Sequence, residues 1–487
     1  MFMRGNESQG EKQMPLPRVG IMTFGDARTH EWDNYFKNVT EPRHRQAIDY
    51  FKGLPIDLCF HPEVARLKEE IDQQADDLKG KGVESFIAHI PCWTSPNLVV
   101  RGVQRMNLPT LLVSNRSAST HGTVGLLGAG GTLDQIGFDH LRIKEDFENG
   151  DGVAKRALPF IRAASTAARL RGQVFGLFGG RSLGIDTGLF DPMQWKRMFG
   201  VDTEHIDQLE IIRRAETIPE DRTSRMVTWL SQNVDRICYD QKGLVPEKLS
   251  FQIRCYLATK DIIREMVLDF VAIKCMPDLS THYVPQCMTA GLLPSPYDAE
   301  GVKEPTAMAC EADADAALTL EILKQISGGS PVLFGDVSHI DYRSQTLYIP
   351  NCGGMCTWFA CRSKDPSENL KRVQIRPAMR PGGGGITYFT CAPGPITLAR
   401  LYRKAGEYRM AILPGEGVEL SQEEHDEFVK ARGRHQLPTA FVKVSADLER
   451  FVGEFGSNHI CAVAGIHVHD LEHLCRILRV QAVVMDR

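Results

Sequence analysis

EPTAMACEADADAALTLEILKQISGGSPVLFGDVSHIDY, residues 304–342, decides how this chain is built. A short apolar run ends in the acids Glu311, Asp313 and Asp315, the helical stretch DAALTLEILKQI follows, and a second apolar run, PVLFG, ends at Asp336. A strand, helix and strand fill about that length of chain, which predicts Glu311 and Asp336 at one edge of the fold.

Upstream of it, RVGIMTF, PIDLCF, SFIAHIPCW and TLLVSN alternate with helical stretches such as VARLKEEIDQQADDLKGKG, the pattern of a parallel sheet covered on both faces. QVFGLFGGRSLGI opens a second segment of the same kind, which runs through FGVDTEHIDQLEIIRRAE and FVAIKCM. Downstream the rhythm changes. RVQIRP, GITYFTCAPGPITLARLY, YRMAILPGEG and TAFVKVSA are short runs rich in Tyr, Phe, Thr, Val and Ile, broken by Gly and Pro, and predict antiparallel strands in a sandwich or barrel. The expected organisation is α/β. A disordered lead at 1–16 precedes two doubly wound, Rossmann-like parallel-sheet domains at 17–172 and 173–330, followed by an antiparallel β-barrel-like domain at 331–487.

At 487 residues the chain exceeds what one hydrophobic core organises. Its 43% hydrophobic and 24% charged residues are those of a globular protein, and a net charge of −4 gives no drive toward nucleic acid or an anionic membrane. No run has the length of a membrane span, and the polar N-terminus lacks the apolar centre of a secretory signal. The 13 cysteines show neither CxxC nor a disulfide-module spacing, which predicts reduced thiols in a cytoplasm. The ligand is therefore expected to be small, with no nucleic acid or membrane partner.

Glu311, Asp336 and His459, the last in GEFGSNHICAVAG, each stand where an apolar run meets a turn. Two carboxylates and an imidazole suit a hard divalent ion doing acid–base work. Acids in a first helical turn are also favoured by the helix dipole, and a turn aspartate is commonplace, so position alone does not separate the readings. HDLEH, residues 469–473, matches the H-x-x-E-H pattern of some zinc proteases, but a catalytic zinc needs a further protein ligand. GLLGAGGTL and FGLFGGRSLG match neither the dinucleotide nor the phosphate-loop fingerprint and read as tight turns. PGGGGIT, residues 381–387, reads equally as a hairpin connection or as a loop meeting a ligand.

Taken in order, GDAR, PCW, GGRSLGI, KEPTAMACEADADAALT, LFGDVSH, GGGGITYF and SNH resemble the L-fucose isomerase and L-arabinose isomerase family, closer to the fucose branch, over nearly the whole chain from residue 17. The resemblance implies two α/β domains with a β-barrel-like C-terminal domain and a divalent metal, most often Mn2+, held by Glu311, Asp336 and His459. It implies an aldose–ketose isomerase working through a cis-enediolate, with Glu311 and Asp336 as the acid–base pair. It also implies substrate contacts from Arg28 and Trp93, reaching the site of a neighbouring subunit in a homotrimer or homohexamer. Lys274, Asn351, Tyr388 and Asn458 are further substrate candidates. Lys274 departs from the fucose enzymes, where an uncharged amide is expected, and the chain is shorter than theirs, mainly in the C-terminal domain. The implied substrate is a pentose, a 6-deoxyhexose or a C6-modified hexose, sulfonated sugars such as sulfoquinovose included; Arg28, Lys274, Arg181 and Arg380 are basic residues that would suit an anion. A metal-dependent aldolase or epimerase, or a non-catalytic sugar-binding protein, are the alternatives.

Overall fold

The computed structural model describes residues 14–117, 120–148, 150–432 and 437–486; most of the lead expected at 1–16 lies outside them. The chain divides into two compact units.

The N-terminal unit comprises residues 15–169 and takes in residues 472–479. Its five parallel strands are β1 (Arg18–Thr23), β2 (Asp57–Phe60), β3 (Ser85–His89), β4 (Thr110–Ser114) and β5 (His140–Lys144), in the order 2-1-3-4-5. Every residue of β3 and β4 is buried, because helices cover both faces; that is why these strands read as unbroken apolar runs rather than alternating ones. One core gathers Met22, Phe24, Phe86 and Leu112, the other Val19, Ile21, Ile87 and Val113, so alternate residues of each strand feed opposite faces. The strand order reverses between β1 and β3, where open α/β sheets form their ligand crevice. GDAR and PCW leave the sheet there, and Thr94 Oγ1 donates to Gly25 O at 2.9 Å, tying the two loops together.

The second unit holds a four-stranded parallel sheet in the order Met308–Cys310, Phe270–Ile273, Val174–Phe178, Asp202–Ile206. It also holds an antiparallel sheet in the order Val332–Asp336, His459–Ala464, Gly394–Lys404, Glu407–Gly417, Thr439–Val444, Thr346–Pro350, His339–Asp341, with Gln481–Val484 beside Glu407–Gly417. This sheet curls into a half-barrel. A Cβ on Gly335 would lie 2.6 Å from Ile349 Cγ2 and 2.9 Å from Pro350 O, so strands far apart in the pairing order meet where only glycine fits. Helix Ala314–Ile326 runs between the two sheets, and all of it but Gln325 is buried, as expected of a helix apolar on most sides.

One expectation changes in detail. The run ending at Asp336 does not join the parallel sheet that ends at Glu311; it pairs antiparallel with His459–Ala464, with Asp336 opposite His459. The two acids meet because the helix between them returns the chain to a different sheet. No helix among the described residues is long and apolar enough to cross a membrane, and all thirteen cysteines are free thiols.

Candidate metal and active site

Glu311 follows the last residue of the Met308–Cys310 strand, at the carboxyl end of a parallel sheet. Glu311 and Ala312 both adopt left-handed backbone, φ 60° and 55°, a conformation that costs a non-glycine residue roughly 1–2 kcal/mol. The turn is held by Ala312 N donating to Ile273 O at 3.1 Å and Asp313 N donating to Cys310 O at 3.2 Å. Asp313 then caps the helix, its Oδ1 accepting from Ala316 N at 2.9 Å.

His459 lies fully buried, its Nε2 2.9 Å from Glu311 Oε2 and 3.4 Å from Asp336 Oδ1. Ligand atoms of these three residues all fall within 4.8 Å of one another, the one such cluster among the described residues. On the other side of the ring, Nδ1 lies 2.7 Å from Asp313 Oδ2. Despite the nearby carboxylates, Nε2 has no hydrogen-bond partner of acceptable geometry among the described residues. A buried nitrogen aimed at two acid oxygens without bonding either is the arrangement a cation would complete, and one nitrogen with two carboxylates suits a hard or borderline divalent ion. Burial opposes a charged imidazole here, but the contact of Nδ1 with Asp313 and the two carboxylates facing Nε2 outweigh it and hold the His459 pKa well above the ordinary value. Arg400, 3.0 Å from Asp313, offsets that carboxylate. Asp336 is the open side, its side chain one-third exposed against 8% for Glu311.

Lys274 follows the Phe270–Ile273 strand, and because Ile273 is paired with Cys310, Lys274 and Glu311 occupy neighbouring strand ends. Its Nζ pairs with Asp278 Oδ2 at 2.7 Å, and both residues line an open cavity of about 530 Å³ with Gly179, Gly180, Asp207 and Gln208. Asn458 adjoins His459, is exposed, and accepts from Thr187 Oγ1 at 3.2 Å. Asn351 is buried, and its Oδ1 takes Gly353 N and Gly354 N at 3.2 and 3.0 Å, which fixes the PNCGG turn. Tyr388 lies under the Arg376 guanidinium, 3.5 Å from the ring centre. Arg181 pairs with Asp186 at 2.6 Å, and Arg380 O accepts from Gly383 N. Cys356 is buried, with its thiol pushed up to about 11 by that burial, while Cys352 is half-buried.

Arg28 and Trp93 stand in the N-terminal unit, on the tied loops beyond β1 and β3. Arg28 is about half exposed and pairs with Asp26 at 2.6 Å and Glu31 at 3.3 Å; Trp93 is half-buried. Among the described residues the histidines of HDLEH are not part of a metal-ligand cluster, and the His473 ring meets the Phe160 ring edge-on. Sequence reading left Asp313 as a helix-turn acid and passed over Arg400, fully buried at the 3.0 Å pair with Asp313. The signal for Arg400 was a lone charge inside the apolar strand TLARLY.

Comparison with known proteins bears on this arrangement. Residues 16–172 match a model described as L-fucose isomerase, first N-terminal domain, and residues 349–486 one described as L-fucose isomerase, C-terminal domain. The chain belongs to the L-fucose isomerase family of sugar isomerases. Among its relatives in that family, the sulfoquinovose isomerase of Priestia aryabhattai is 20% identical over 79% of this chain and 83% of its own. The L-fucose isomerase of Vibrio vulnificus is 22% identical over 83% and 81% of the two chains, and that of Escherichia coli strain 55989 is 22% identical over 96% and 93%.

Proposed function

We propose that the protein is a divalent-metal-dependent aldose–ketose isomerase, with Mn2+ held by Glu311, Asp336 and His459, acting in the cytoplasm on a pentose, a 6-deoxyhexose or a C6-modified hexose. The observation that carries this reading is the buried His459 Nε2, 2.9 and 3.4 Å from two carboxylate oxygens yet bonded to neither.

A bound divalent ion would supply Lewis acidity at the sugar's O1 and O2. Isomerisation takes a proton from C2 and returns one to C1 through a cis-enediolate, while the hydroxyl proton passes from O2 to O1. Glu311 and Asp336 flank one point from two different sheets, so one carboxylate can accept the carbon-bound proton while the other serves the oxygens. Their unequal burial supports a division of roles between them. Lys274, at the strand end beside Glu311, and Asn458, beside His459, are placed in this reading as contacts to the sugar's hydroxyls, with Asn351 and Tyr388 as further candidates. Arg28 and Trp93 are proposed to serve the site of a neighbouring subunit in a homotrimer or homohexamer. Relatives named for L-fucose and for sulfoquinovose support including both a neutral and a sulfonated sugar in the proposed substrate range.

The test is NMR in D2O of manganese-loaded protein against L-fucose, D- and L-arabinose, and glucoses substituted at C6, neutral and sulfonated. Ketose formation with deuterium entering at carbon supports the reading. Carbon–carbon cleavage, inversion without ketose, or no reaction by metal-loaded protein overturns it.

A further inference from the structure

Arg400 lies in the middle of the Gly394–Lys404 strand, opposite Ala411, and is completely buried. Its Nη2 donates to Asp313 Oδ1 at 3.0 Å and to Thr187 O at 2.8 Å. Its Nε and Nη1 make no hydrogen bond of acceptable geometry among the described residues, with the Cys461 thiol near the guanidinium. A buried ion pair satisfied this sparingly is weak evidence of a stabilising role, since the cost of taking both charges out of water offsets much of their attraction.

What the cation does reach is the support of one metal-site residue. Asp313 gives one carboxylate oxygen to Ala316 N and Arg400, and the other to His459 Nδ1 at 2.7 Å. With the carboxylate rotation fixed in this way, Nδ1 is engaged and Nε2 is the nitrogen turned toward Glu311 and Asp336. A second arm acts on the backbone. The carbonyl that Arg400 holds belongs to Thr187, whose hydroxyl donates to Asn458 Oδ1 at 3.2 Å and lies 3.5 Å from Ser457 Oγ. Ser457 Oγ in turn accepts from His459 N at 3.1 Å. Side chain and backbone of the histidine therefore lead back to one guanidinium.

We infer that Arg400 is a positioning residue for the metal site, aiming His459 Nε2 through Asp313 and steadying the Ser457–His459 turn through Thr187. The inference rests on the proposed metal site at Glu311, Asp336 and His459.

It is tested by titrating Mn2+ into metal-free protein by calorimetry and following thermal unfolding of the same samples without metal. Arg400→Met is expected to weaken Mn2+ binding about 10–100-fold, the usual range for loss of an outer-shell partner, and to lower metal-free stability, because it leaves the Asp313 carboxylate buried without its cation. Arg400→Lys is expected to restore part of the affinity. Asp313→Asn, which keeps a helix-capping side chain, is expected to weaken binding similarly and serves if Arg400→Met does not fold. Folded Arg400→Met or Asp313→Asn protein with unchanged Mn2+ affinity overturns this inference alone. Parent protein that takes up no Mn2+, or that keeps it in His459→Ala, overturns the proposed site and the inference with it.

Discussion

Asp336 and His459 are direct partners across two antiparallel strands, one pair of a register that runs from Val332 opposite Val463. Facing residues in such a ladder hold their Cα atoms only about 4.5–5.5 Å apart, so two of the three proposed ligands are set by sheet geometry. Glu311 alone reaches the site from a strained turn.

Each ligand is therefore expected to be necessary for a different reason. Glu311→Gln, Asp336→Asn and His459→Ala should each reduce bound metal from about one ion per chain to a small fraction, as three protein ligands leave no spare. Elemental analysis of purified protein checks this, and full metal content in all three variants would refute the site.

Gly335→Ala should displace the proposed ligand beside it. The new Cβ would meet Ile349 and Pro350 inside normal contact distance, costing about 1–3 kcal/mol. A lower Tm together with weaker Mn2+ binding is expected; a lower Tm with unchanged binding would show that the curl of the sheet does not set the position of Asp336.

Lys274→Gln should leave metal content unchanged and raise KM. Loss of a hydrogen bond from a charged group is worth about 1.5–3 kcal/mol, which predicts at least a tenfold rise for a substrate that Lys274 touches. Steady-state kinetics with the sugar found by NMR decides the matter, and an unaltered KM would confine Lys274 to its pair with Asp278.

Arg28→Ala is expected to raise KM or lower kcat with metal retained, and light scattering is expected to give the mass of a trimer or hexamer. A fully active monomer would contradict the proposed sharing of sites between subunits.

In the N-terminal unit, Thr23 Oγ1 lies 2.8 Å from His44 Nδ1 and 3.0 Å from His89 Nδ1. Burial pushes the His89 pKa down from 6.5 to about 3 and also lowers that of His44. Between those values the unfolded chain binds a proton that the folded chain refuses, so stability present above pH 6.5 is lost progressively as pH falls toward 3. Thermal unfolding from pH 7 to 4 should show this loss, and His89→Gln should flatten it; an equal slope in both proteins would assign the loss to other groups.

Much of the fold was legible because parallel strands buried on both faces leave uninterrupted apolar runs, and because the change to short aromatic and β-branched runs after residue 330 marks the curled sheet. Glu311 and Asp336 were legible as acids ending such runs. The pairing of Asp336 with His459 was not, since nothing local encodes the register of strands more than a hundred residues apart. Nor was the left-handed pair Glu311–Ala312, which contains no glycine to signal it. Asp313 looks the same in sequence whether it caps a helix or supports an imidazole, and it does both. Asn351 shows the reverse: a polar residue in a glycine turn looked available, and its carbonyl oxygen is occupied by that turn.

The inclusion of residues 472–479 in the N-terminal unit has a consequence for the order of events during synthesis. Ile477 packs against the core formed by Val19, Ile21 and Ile87, and Arg476 pairs with Asp139. The first sheet emerges from the ribosome about 300 residues before this segment, a wait of roughly 15–60 s at ordinary elongation rates. Over that interval the nascent unit lacks the Ile477 contact and the Arg476–Asp139 pair, so residues 472–479 are the part of it that docks last.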